Sequence, residues 1–225
     1  MFKFIIFGLV FVNSFSQNYT SAEVKYSGLY SKLEIKETSP QNVKDLFTNI
    51  NENLNDKEFI LKINSKGFYF KEVDKVNLDE NKYTKIANTI FLVNNFFFLK
   101  NSSLLIKEIG DAQIETDFSY DWSLLNETKE IDKFLCYKAE CIITFNTRSG
   151  GEGSRAITAL YTPQINFNYG PNGYMGLPGL ILELEYNKTK LVAKEIKLFN
   201  NEISIDFPKI KSISEKEFVE RTKMN

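Results

Sequence analysis

The chain has 225 residues, 28 of them Lys or Arg and 29 Asp or Glu, and it contains no histidine. A net charge of −1 offers no broad cationic surface for nucleic acid or an anionic membrane. The missing histidine excludes Ser-His-Asp and Cys-His catalysis, histidine-ligated zinc and the ordinary neutral-pH general base.

Residues 1–16 read as a signal peptide. Lys3 supplies the positive start, Phe4–Val12 is a short apolar core, and small residues precede Gln17. Such a core is shorter than the ~20 residues a membrane-crossing helix needs. No cysteine stands at the cleavage point to carry a lipid, and no later stretch is long and apolar enough to span a bilayer. The expected product is residues 17–225, exported to the periplasm or the cell surface without a lipid anchor and folded as a single domain.

Within it, Tyr19–Lys36 alternates as one or two strands broken near Gly28. Ser39-Pro40 opens a helix, and Val43, Leu46, Phe47, Ile50 and Leu54 recur at helical spacing, so Pro40–Leu54 forms an amphipathic helix needing an apolar partner. Phe59–Asn64 and Phe68–Val73 read as strands joined at Ser65-Lys66-Gly67, and polar Val76–Lys85 as a loop. Thr89–Leu99, with Phe96-Phe97-Phe98 at its centre, reads as a strand covered on both faces. Leu104–Ile109, Ile114–Tyr120, Ser123–Glu130, Phe134–Thr147 and Ala156–Thr162 continue the antiparallel pattern. Leu180–Tyr186 and Leu191–Phe199 form a hairpin about Asn187-Lys188. Ile203–Phe207 is one more short strand, and Ser214-Glu215-Lys216-Glu217 is a capping box opening a C-terminal helix anchored by Phe218.

Cys136 and Cys141 are a possible disulfide after export, but on one straight strand they would lie roughly 17 Å apart on opposite faces, so a bridge needs a bend between them. The alternative is two small buried thiols. No P-loop, G-x-G-x-x-G, G-x-S-x-G or S-x-x-K motif occurs. No cofactor or metal is therefore implied, and an enzyme would have to use carboxylates, tyrosines or lysines. Glu183 and Glu185 share a strand face about 7 Å apart, a spacing compatible with paired acid–base work, although a solvated strand face also explains them.

Backbone-special residues concentrate in Gly170–Gly179, where four glycines and two prolines precede the apolar run Leu180–Tyr186. Tyr161-Thr162-Pro163, then Gly170-Pro171, Tyr174, and Gly176-Leu177-Pro178-Gly179-Leu180-Ile181 resemble the GLPGLI family, exported proteins of the Bacteroidetes. Cys136-Tyr137-Lys138-Ala139 and Trp122 with Glu127-Thr128-Lys129 are similar to two further segments of that family. The resemblance implies an envelope or secreted location and a β-rich fold, and carries no catalytic assignment. Leu160 and Ile165-Asn166 depart from the family's pattern. Gly176–Gly179 reads as a type II turn, either a folding corner or a place where a partner approaches the backbone.

These readings together predict a mainly β domain: one antiparallel, strongly curved, half-barrel-like sheet packed on the Pro40–Leu54 helix, with a short C-terminal helix. The expected function is non-catalytic binding of an apolar ligand or lipid, a peptide, or an outer-membrane protein segment. The alternatives are a carboxylate-dependent hydrolase or peptidase accessory, and a purely structural surface protein.

Overall fold

A computed structural model describes residues 19–52, 57–73, 82–83, 86, 93–146 and 151–223. The expected signal peptide, most of the 76–85 loop and the start of the 89–99 strand lie outside them. Twelve strands form one sheet: β1 (Ser21–Tyr30), β2 (Lys57–Asn64), β3 (Gly67–Glu72), β4 (Asn95–Leu99), β5 (Leu104–Ile109), β6 (Ala112–Thr116), β7 (Ser123–Ile131), β8 (Phe134–Asn146), β9 (Glu152–Thr162), β10 (Leu180–Tyr186), β11 (Thr189–Phe199) and β12 (Ile213–Ser214). Their order is β12-β6-β5-β4-β3-β2-β1-β11-β10-β9-β8-β7, with β12 and β7 as free edges, so the sheet is not closed. Each named pair is antiparallel except β12 with β6. Two meanders, β2 to β6 and β7 to β11, meet at β1, which pairs with β2 on one side and β11 on the other.

The connection between β6 and β7 reveals the curvature. In a flat sheet those strands would stand ten spacings apart, roughly 48 Å at about 4.8 Å each. Residues 117–122 join them, and an extended chain from 116 to 123 reaches at most about 25 Å. The sheet must therefore roll until its two halves face one another.

The inner face of the roll is apolar by strand alternation. Val24 pairs with Leu61, Leu61 with Phe70, and Phe70 with Phe96, and all four belong to one buried cluster. Leu184 and Ala159 extend it across the other meander. The Phe96-Phe97-Phe98 triplet is buried on both faces, as its continuous apolarity predicts.

The helix α1 (Gln41–Glu52) forms where the periodicity placed it, with Ile50 buried and Val43 and Phe47 half-buried. It does not fill the roll, however. None of its side chains belongs to the core cluster, and Leu46 is 39% exposed. The expectation that the sheet packs on this helix gives way to a different filling, described below. Residues 203–207 form no strand. They run past the β2–β3 turn, where Asn64 Nδ2 donates to the Ile203 carbonyl at 3.1 Å. The Ser214 half of the capping box forms: the Glu217 amide donates to Ser214 Oγ at 3.2 Å and opens α2 (Glu215–Lys223), where Phe218 is the half-buried anchor, while the Glu217 carboxylate pairs with Arg221.

Candidate functional site

Seventeen residues, 163–179, connect β9 to β10, although those strands are hydrogen-bonded neighbours whose Thr162 and Leu180 already pair. A two-residue turn would have sufficed, as at Asn187-Lys188 between β10 and β11. The loop instead folds back into the roll as a plug. Its neck is tied by Leu180 and Ile181 amides donating to the Ile165 and Tyr169 carbonyls at 3.2 and 3.0 Å. Its tip is a tight turn at Pro171–Gly173, where Asn172 takes left-handed φ 54 and ψ 33.

The plug binds both halves of the sheet. Tyr169 sits 5.0 Å from the Phe68 ring and 5.9 Å from Phe98. Gly173 lies so close to Phe96 that a Cβ there would come within 2.6 Å of the ring. On the other side, Tyr174 contacts Tyr120, Trp122 and Tyr186 at centroid distances of 4.9, 6.4 and 6.1 Å. Tyr120 and Trp122 come from the 117–122 connection. The Trp122 indole donates to the Met175 carbonyl at 3.0 Å. Asn172 accepts from the Asn94 amide at 3.1 Å and donates to the Tyr186 hydroxyl at 2.9 Å. Beneath the plug, the buried Tyr26 hydroxyl donates to the Ile181 carbonyl at 2.6 Å, beside an irregularity in the β9–β10 register.

The GLPGLI stretch is the base of this plug. Gly179 donates to the Leu177 carbonyl at 2.8 Å, a three-residue γ-turn about Pro178 in place of the expected four-residue type II turn. Gly179 has φ +151, and a Cβ there would overlap the Thr162 carbonyl. The positive φ expected at this glycine is therefore present, in a different turn. Of the motif residues singled out from sequence, Tyr161, Gly170, Pro171, Tyr174, Leu177, Gly179, Leu180 and Ile181 are buried. Pro163, Gly176 and Pro178 alone among them face outward.

The two cysteines are free thiols, both buried on the uninterrupted β8. The bend a bridge requires is absent, and burial pushes both thiols up to about 11.

The outer face over β7–β10 carries the other candidate, an open groove of about 520 Å³ lined by Glu127, Lys129, Lys138, Thr158, Leu160, Glu183 and Glu185, with Thr128. Glu183 is not on a solvated face: it is buried in the floor. Lys129 reaches one of its carboxylate oxygens and Lys190 the other, each at 2.7 Å. Lys190 also meets Glu185 at 3.2 Å, and Lys138 bridges Glu127 and Glu140 at 3.2 and 3.1 Å. Burial pushes the Glu183 carboxyl up, but the lysine hydrogen bonds and charges outweigh it and hold the group below its ordinary value. Lys190 is raised by the same contact.

Sequence reasoning missed the groove's partners because Lys129, Lys138 and Glu183 lie on three different strands. It also missed Phe118 and Tyr120 beside the already marked Trp122, although the three alternate in a way that marks an apolar face. The segments that carried the resemblance converge in space: Trp122 on Met175, Lys129 on Glu183, and Tyr137 against Tyr161 at 6.2 Å.

A family model described as "Protein of unknown function (Porph_ging)" matches residues 146–183, from the end of β8 through the whole plug to Glu183. The match agrees with a Bacteroidetes family. No curated protein matches the chain. Among solved structures, PNGF-II aligns at 14% identity and TM-score 0.49 over 89% of this chain and 32% of its own, so the chain spans about a third of that protein. LprF from Mycobacterium bovis aligns at 9% identity and TM-score 0.31, covering 86% of this chain and 91% of its own.

Proposed function

We propose that this is an exported envelope protein of the GLPGLI type, a non-catalytic binding module that receives an extended peptide or protein segment in the groove over β7–β10. The observation that carries the reading is the division of the two faces. The inner face, where an apolar ligand or lipid would sit, is covered by the chain's own aromatic plug. The outer groove is open and presents lysines and glutamates already fixed in alternation by their mutual pairs. A segment with alternating charges complements such a floor at little cost in ordering. Export is read from residues 1–16, and the partner from the groove's chemistry.

A buried glutamate beside a polar cleft is also what a carboxylate hydrolase would display. Glu183 lacks the freedom for that role. Both its oxygens are engaged by ammonium groups, and its lowered pKa makes it a poor base and no acid at neutral pH.

The test begins by co-purifying the product from its envelope and identifying a bound segment, then fills the groove with Thr158→Trp. The reading expects the segment to be lost from a variant whose melting temperature is unchanged. Retention of the segment, or an empty and monomeric protein at every step, would overturn it.

A further inference from the structure

We infer that Arg155 and Lys107 form a binding site for an oxyanion, a carboxylate or phosphate group, at the rim of the inner face. The two cations come from opposite halves of the sheet, β9 and β5, and each lies beside a residue that touches the tip of the plug. Lys107 is the cross-strand neighbour of Phe96, the ring on which Gly173 rests. Arg155 shares the inner face with Ile157 and Ala159 by alternation. Its guanidinium lies over the Tyr186 ring at 5.8 Å and the Phe145 ring at 5.2 Å. Tyr186 in turn accepts from Asn172 at the plug tip. Arg155 thus neighbours the plug tip through Tyr186, and Lys107 does so through Phe96.

Arg155 is also incomplete. Its Nε is buried and makes no hydrogen bond. Among the described residues it has no ion-pair partner, whereas Arg221 is paired with Glu217 at 2.6 Å. A buried guanidinium donor without an acceptor is costly, and with two aromatic rings beside it, its edge is the place for a partner. A planar fork held by rings is the geometry that takes a carboxylate or phosphate in two hydrogen bonds. Lys107 is lowered by burial, Glu215 opposes that, and Arg155 adds a smaller lowering. An anion at the Arg155 edge would supply the acceptor its Nε lacks.

The site is independent of the outer groove and is tested with two probes. The protein, in low-salt chloride buffer, is titrated with inorganic phosphate and separately with a tripeptide bearing a free C-terminal carboxylate, its amidated form serving as control. Melting temperature and the Arg155 Nε–H resonance are followed together. The expected result is a saturable rise in melting temperature and a shift of that resonance with the same midpoint, for at least one probe. A response to phosphate alone assigns the site to phosphate, and a response to the free tripeptide but not its amide assigns it to a carboxylate. Arg155→Gln and Lys107→Gln should each weaken binding about tenfold or more. Glu215→Gln should strengthen it, and exposed Lys188→Gln should leave it unchanged. The inference is overturned if Arg155→Gln titrates like the unaltered protein, if the Nε–H resonance stays fixed, or if only a non-saturating salt effect is seen. Should Arg155→Gln not fold, the resonance in the unaltered protein decides.

Discussion

The two faces of the β7–β10 region solve opposite problems with the same strands. Inside, Tyr186 meets the plug, and polar groups there are consumed by internal hydrogen bonds, two for Asn172 and one for the Tyr26 hydroxyl. Outside, Glu183 and Lys138 are each shared between two partners, and the groove between them is open. The inner face is therefore specified by shape and the outer face by charge. A substitution inside should act on folding, and one outside on recognition and its dependence on pH and salt.

The largest expected effect belongs to the inner face. Gly179→Val places a branched side chain at φ +151 against the Thr162 carbonyl, and should cost about 3 kcal/mol or more. Chemical denaturation checks this, and a stability within 0.5 kcal/mol of the original would break the claim that the motif is a structural corner. Next, Tyr26→Phe leaves the buried Ile181 carbonyl without its 2.6 Å donor. It should cost about 1–2 kcal/mol with no change in charge-dependent behaviour.

On the outer face, Glu183→Gln should cost about 1–2 kcal/mol at pH 7. Its pH dependence is distinctive. The folded carboxyl lies below its ordinary value of 4.5, so its stabilisation is complete above that value and is lost as pH falls through the folded pKa. Denaturation curves of the two proteins should run parallel at neutral pH and converge in acid. A gap that persists at pH 2 would remove the ion pairs as its cause. The smallest effect is expected away from both faces, where Ser214→Ala removes the α2 cap and should cost about 0.5–1 kcal/mol.

Much of the fold was legible in the sequence because the relevant signals are local. The hairpin at Asn187-Lys188, the cap at Ser214 and the bounds of β5 and β10 follow from turn chemistry and period-2 alternation. The role of α1 was misread because amphipathicity says that a helix needs cover and not which surface supplies it. The concentration of glycine and proline in Gly170–Gly179 correctly marked a special backbone. Its destination across the sheet depended on Phe96 and Phe68, far away in sequence, which no local pattern discloses. The outer groove was hidden for the same reason: Glu183 looks solvated until Lys129 and Lys190 are placed beside it.

The position of β1 has a consequence for the order in which the chain can mature. Ser21 pairs with Phe199, and the rest of β1 with the remainder of β11. A chain emerging from its amino terminus can assemble β2 to β6 against one edge of β1, while the opposite edge waits for nearly the last strand made. Until β11 arrives, that edge is a row of unpaired backbone groups open to another chain. Pairings so distant in sequence also close slowly. Any truncation before Thr189 would leave that edge of β1 permanently exposed to pairing with another chain.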